Sequence, residues 1–121
     1  MSIIASVLVA IVALLHAWFF VLEMMLWRRP LGLRTFGMTA EQAEATAVLA
    51  SNQGLYNGFL AAGLVVGLLA AGPTGFYFRF FFLSGVIVAG VFGAATVSRR
   101  ILFVQAVPAA VALVAVLLVG T

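Results

Sequence analysis

A few residues of this chain could do chemistry, and they stand out because almost everything around them is apolar. His16 and Glu23 lie seven residues apart, which places them on one face of a helix, two turns from each other. Asn52, Gln53, Tyr56 and Asn57 follow within six consecutive positions. Asn52 and Tyr56 make one i,i+4 row, and Gln53 and Asn57 make the next. Gln105 stands alone near the C-terminal end. A carboxyl group held away from water can exchange a proton with a bound molecule, and an imidazole can serve as its partner. Glu23 and His16 are therefore the candidate catalytic residues. Asn52, Gln53, Tyr56, Asn57 and Gln105 are the candidate ligand-binding residues, able to orient a polar head group.

Those residues matter only if their surroundings are lipid. The chain has 121 residues, of which 66% are hydrophobic and 7% charged, with a mean hydropathy of +1.31. A soluble domain carries about 25% charged residues, so this surface is suited to a bilayer. There is no cysteine, which excludes disulfides and thiolate metal sites. One histidine and one buried glutamate are too few for a metal site, which needs about three or four ligands. The net charge of +3 comes from arginine, with no lysine. It is too small and too scattered for a nucleic-acid footprint. The sequence names no cofactor.

The elements that must position the polar residues are four apolar helices over about 3–27, 40–71, 76–97 and 101–119 in one domain, 1–121. The fold class expected is all-α, a polytopic up-down-up-down bundle of four transmembrane helices. The first run has no basic residue before it and ends in Trp27, Arg28, Arg29 and Pro30, so it reads as an uncleaved helix rather than a signal peptide. A polar connection over 31–38 leads to Thr39, an N-cap with Gln42 in the capping-box position. Gly72, Pro73, Thr74 and Gly75 signal a turn. Pro108 falls inside the last helix, where membrane helices tolerate it if neighbours satisfy the freed carbonyl.

Arginine placement sets the expected sides. Arg28, Arg29 and Arg34 lie between the first two helices and Arg99 and Arg100 between the last two, whereas Arg79 stands alone on the other side. The positive-inside rule then puts the first and third connections in the cytoplasm and both termini on the non-cytoplasmic side. Counted along the helices, Glu23 lies about 7 Å inward from Arg28 and His16 about 18 Å inward. Gln105 falls about 7–8 Å inward from Arg100. The expectation is that the three helices converge their polar groups on one interior site in the cytoplasmic half. The alternative is that these groups hydrogen-bond between helices and hold the bundle together.

Other signals concern packing. Gly54, Gly58 and Ala62, Gly63, Gly67 and Ala71, and Gly85, Ala89 and Gly93 form small-residue rows. They suit close helix packing, or a homo-oligomer through Gly/Ala faces. Glu41 and Glu44 sit on one face of a helix start, where Arg28 or Arg34 could pair with them. Trp27 suits an interfacial anchor and Trp18 is too deep for one. The aromatic run 76–82 suits an outer-interface belt.

The string from Leu15 to Trp27, containing His16 and Glu23, resembles the first helix of a family of small bacterial membrane proteins, domain-of-unknown-function family thirteen-oh-four. So do the string Asn52 to Leu60 and the pair Gln105 and Pro108. The resemblance covers essentially the whole chain. It implies four membrane helices and a bacterial inner membrane, and it assigns no catalysis. A fainter resemblance is to the microsomal glutathione transferases, whose second helix carries Asn-x-x-Glu-Asn. The matching positions here are Gln53, Tyr56 and Asn57, and only the last agrees, which argues against glutathione binding. That likeness is one of fold alone.

Three functional readings follow. The first is a membrane enzyme or binding protein for a small apolar or lipid-like molecule. The second is an oligomeric transporter or channel subunit, against which stands the lack of a visible inverted repeat. The third is a structural or accessory subunit of a membrane complex. The number of polar groups favours the first.

Overall fold

The computed structural model describes residues 1–120, which are all-helical with no strand among them. Helix α1 spans Ile3–Met24. It stops short of residue 27: Leu26 N–H steps back five residues to the Val21 carbonyl that Met25 N–H already holds, which leaves the α-helical pattern. Pro30 is not what ends it. Proline is well suited to the first turn of a helix, where its missing N–H costs nothing, and Pro30 opens a short helix, α2, over Pro30–Phe36. This helix replaces most of the irregular connection expected over 31–38. It closes in a Schellman arrangement, with Met38 N–H on the Leu33 carbonyl at 2.9 Å. Gly37 supplies the left-handed residue at φ 63° that a side chain would resist.

Helix α3 covers Ala40–Leu69 and starts from a formed capping box. Thr39 N–H donates to Gln42 Oε1 at 3.0 Å, and Gln42 N–H donates to Thr39 Oγ1 at 3.1 Å. Helix α4 covers Gly72–Thr96, so the expected turn of 72–75 is taken into its first turn, with Pro73 again where no N–H is needed. A π-helical turn, Leu102–Ala106, then leads into α5, Val107–Val119. Proline's ring would collide with the carbonyl four residues back in a regular helix. Widening the turn before Pro108 to π geometry removes that collision.

Three helical stretches are long and apolar enough to cross a membrane: Ile3–Met24, Gly72–Thr96 and Leu102–Val119. They point to a membrane protein. Helix α3 is the longest, with 30 residues, but Asn52, Gln53 and Asn57 dilute its apolar character and it is not among the three.

The chain divides into two compact units, one of residues 1–14 and 60–121 and the other of residues 15–59. The first is held by an apolar core to which every one of its long helical segments contributes. Val9, Val12 and Ala13 come from α1, Leu64 from α3, Leu83 and Val86 from α4, and Ala109, Ala112 and Val116 from α5. Small residues let the backbones close in. A Cβ at Gly90 would lie 2.7 Å from Ala106 N. The second unit has little such core and is tied by polar contacts. Trp27 Nε1 donates to the Ala43 carbonyl at 3.1 Å and to Thr46 Oγ1 at 3.2 Å. Arg28 Nη1 reaches both carboxylate oxygens of Glu44 at 3.1 Å, the pairing open in the sequence between Arg28 and Arg34. The Trp27 ring packs on Phe36 at 4.8 Å. Helix α2 docks through Gly32, where a Cβ would come within 2.0 Å of the Leu26 carbonyl oxygen.

Candidate functional site

The site is built in the second unit, from the last turns of α1 and the middle of α3. Two stripes run along α3. One is buried and mostly of small residues, Ala43, Ala50, Gly54, Ala61 and Gly67 with Asn57 and Leu64 among them, and the other is exposed and bulkier. Small residues inside and large ones outside is the pattern expected where backbones approach closely and lipid covers the rest. Gly54 marks the closest approach to α1: a Cβ there would lie 2.7 Å from Met24 Cγ and 2.9 Å from Glu23 Cβ. Gly58 similarly faces the Phe20 ring, at 3.0 Å.

That approach brings Asn57, just under one turn beyond Gly54, onto Glu23. Asn57 Nδ2 donates to Glu23 Oε1 at 2.5 Å. Asn57 is 3% exposed, so its amide has little water to bond instead and is committed to this contact. Glu23 is half-buried. One donor on one oxygen leaves the carboxyl group with acceptor capacity to spare. A cavity of about 260 Å³ lies against Glu23, lined also by Met24, Trp27, Arg29 and Ser51 among others. Its lining residues are one glutamate, one serine, two arginines (Arg28 and Arg29) and the apolar Met24, Met25, Trp27 and Ala47. Such a lining can accept a donor group of a small amphipathic molecule at Glu23, exchange a proton with it, and cover its apolar part with methionine and indole surface.

The residues singled out in the sequence fall in different places. Glu23 and Asn57 are brought together. His16 is fully buried on α1, edge-on to Phe19 at 5.4 Å between ring centroids, and is not among the residues lining the cavity. Asn52, Gln53 and Tyr56 are exposed on α3, away from the buried stripe that carries Asn57, and they do not line the cavity. Gln105 belongs to the π-helical turn of the other unit, where it is half-buried. No group of three or more potential metal-ligating side chains occurs among the described residues.

Two residues were not visible as functional or structural centres in the sequence. Ser51 lines the cavity, and no pattern in the sequence marks it. Arg79 is 5% exposed in the first unit, not at an outer surface. Its Nη1 donates to the Gly67 carbonyl at 2.6 Å, one of the last carbonyls of α3 that no helical N–H can reach. A cation at a helix C-terminus also complements the helix dipole. The small-residue rows of α3 are occupied within the chain: besides Gly54 and Gly58, Gly63 faces the Phe82 ring and Gly67 faces Arg79. Gly85 has open space around it.

No curated protein and no solved structure is significantly similar to the chain. A family model does match, over residues 10–117, and it is that of the DUF1304 proteins of unknown function. The match takes in α1 from its second turn to nearly the end of α5, with every residue of the site inside it. The chain is a member of the DUF1304 family.

Proposed function

We propose that this protein binds, and possesses the groups to transform, a small amphipathic or lipid-like molecule in the cavity beside Glu23. The observation that carries the reading is the cavity itself, about 260 Å³, with Glu23 among its lining residues and the Glu23 carboxyl group held by Asn57. Glu23 is the proton-exchanging residue and Asn57 orients it. Ser51 and Arg29 receive the polar end of the ligand, and Met24, Met25 and Trp27 cover its apolar part. His16, fully buried two turns from Glu23, supports α1 from within and is the second candidate for proton chemistry.

In this reading α3 is the fourth span, joining the three apolar ones in a four-helix bundle of the bacterial inner membrane. Arg28, Arg29, Arg34, Arg99 and Arg100 mark the cytoplasmic side. The cavity then opens toward the cytoplasmic leaflet, the level at which Trp27 and the arginine pair meet the head groups.

The test is native mass spectrometry of the protein extracted with its own lipids, compared with Glu23→Gln and Ser51→Leu. Retention of one small molecule by the parent and its loss from both variants supports the reading. Identical spectra with no bound molecule in any of the three overturn it.

A further inference from the structure

We infer that Arg79, reaching back along the start of α4, is the seat of a phosphate oxyanion, which a bilayer supplies as the head groups of phospholipids. Gly72, Gly75 and Arg79 follow at spacings of three and four, so they share one face of α4. Long side chains on a helix lean toward its N-terminus, and this one does so: Nη1 comes within 2.9 Å of where a Cβ on Gly75 would stand. Arg79 lies about 10 Å along α4 from Gly72, and its guanidinium returns to the level of Gly75, about 5 Å from the helix start. Helix α4 is one of the three stretches able to cross a membrane, so the cation is carried back toward head-group depth.

The seat is built into the packing. A Cβ at Gly67 on α3 would lie 2.8 Å from Arg79 Cγ, so a glycine on each helix makes room for the arginine. The chain encloses Arg79, at 5% exposure, yet does not balance it. Capping the end of α3 takes one N–H, which Nη1 gives to the Gly67 carbonyl, and a guanidinium has five. Among the described residues, Nε of Arg79 is the fully buried side-chain nitrogen left without a hydrogen-bond partner. No acidic residue lies in 1–14 or 60–121. The gain from the C-terminus of α3 is offset at the same turn by the N-terminus of α4. There Ala71 supplies no side-chain cap, and the first N–H groups keep their partial positive charge. An ionised side chain in a membrane span needs a partner, and this one must come from outside the chain. The donors say what it is. The Nε edge of a guanidinium is a two-donor fork that fits an oxyanion, and an uncapped helix start adds backbone donors suited to phosphate. Donors from two directions favour a tetrahedral phosphate over a planar carboxylate. A Cβ at Gly72 would meet nothing within 4 Å, which leaves the start of the helix approachable. Exposed Tyr77 and Phe81 offer apolar surface to acyl chains.

The test is thermal unfolding of the full-length protein, stripped of lipid in a non-ionic detergent. The probes are a short-chain phosphatidylglycerol, the diacylglycerol with the same chains, and inorganic phosphate against chloride at matched ionic strength. A molecule that binds the folded state raises its Tm. The phosphatidylglycerol should raise it and the diacylglycerol should not. An equal rise with inorganic phosphate would keep the seat and make the free anion its occupant. Arg79→Gln retains an N–H donor for the Gly67 carbonyl but carries no charge, and its affinity for the phosphatidylglycerol should fall about ten- to hundredfold. Arg100→Gln removes the same charge at an exposed position beyond the far end of α4 and should bind as the parent does. The comparison of the two lipids on the parent alone stands even if Arg79→Gln does not fold. Equal rises with both lipids, no rise with any probe, an equal loss in Arg100→Gln, or a rise that survives in Arg79→Gln would each overturn the proposal. The last would place the phosphate elsewhere, the cavity beside Glu23 included.

Discussion

The two units of the chain solve the problem of holding helices together in opposite ways. Residues 1–14 and 60–121 form a core of Val, Leu and Ala side chains with no acidic residue, since Glu23, Glu41 and Glu44 all fall in 15–59. The one buried charge there, Arg79, is met by a backbone carbonyl rather than by a carboxylate. Residues 15–59 have few fully buried apolar side chains and are tied by the Trp27, Arg28 and Asn57 hydrogen bonds. In the proposed reading, the scaffold and the site are segregated. Helix packing needs shape, so it uses small and branched residues. A site needs groups whose partners can change, so it collects the polar residues and leaves a cavity among them.

Substitutions can break or sharpen that contrast. The largest effect is expected in the apolar core. Leu83 is fully buried, and Leu83→Ala should cost about 2–5 kcal/mol through the cavity it leaves, read as a lowered Tm in detergent. In the polar unit, Gly32→Ala should cost about 1–3 kcal/mol or more, because the new methyl meets backbone carbonyls that cannot swing away. Its readout is local: trypsin should cut faster after Arg28 and Arg34 while α4 and α5 stay protected. Loss of protection everywhere would contradict the division into two kinds of unit.

Arg79→Ala tests the exception inside the apolar unit. It leaves the Gly67 carbonyl without its donor, and a destabilisation of about 1–3 kcal/mol is expected. No change in Tm would mean that the guanidinium is not needed at the end of α3. The smallest effect belongs to the Arg28–Glu44 pair, whose side chains are 61% and 69% exposed. Arg28→Ala should cost less than about 1 kcal/mol, and the difference from the parent should vanish at high salt.

Much of this was legible in the residues. Long apolar runs announced α1, α4 and the last helix, and Thr39 with Gln42 announced the start of α3. The connection over 31–38 was not legible as a helix, because Pro30 reads equally as a stop for one helix and as a start for the next. The π turn was hidden for a similar reason: Pro108 demands relief of a backbone collision without saying how it comes. Within the site, Glu23 and Asn57 were visible as polar groups in an apolar sequence. Which of the α3 amides faces α1 was not, since residues 52–57 turn through more than a full circle and point to every side. Gly54 decides it, because only at a glycine can α1 come so close. Arg79 was read as a topology mark because a lone arginine near a helix start carries no sign of the carbonyl it will meet.

The most direct test of the central claim is an experimental structure of the protein in its native lipids, read for density in the cavity beside Glu23. The account predicts elongated density whose polar end lies within about 3.2 Å of the Glu23 carboxyl group, with its apolar part against Met24, Met25 and Trp27. A cavity closed by the methionine side chains, with Glu23 turned outward onto Arg28 or Arg29, would contradict it.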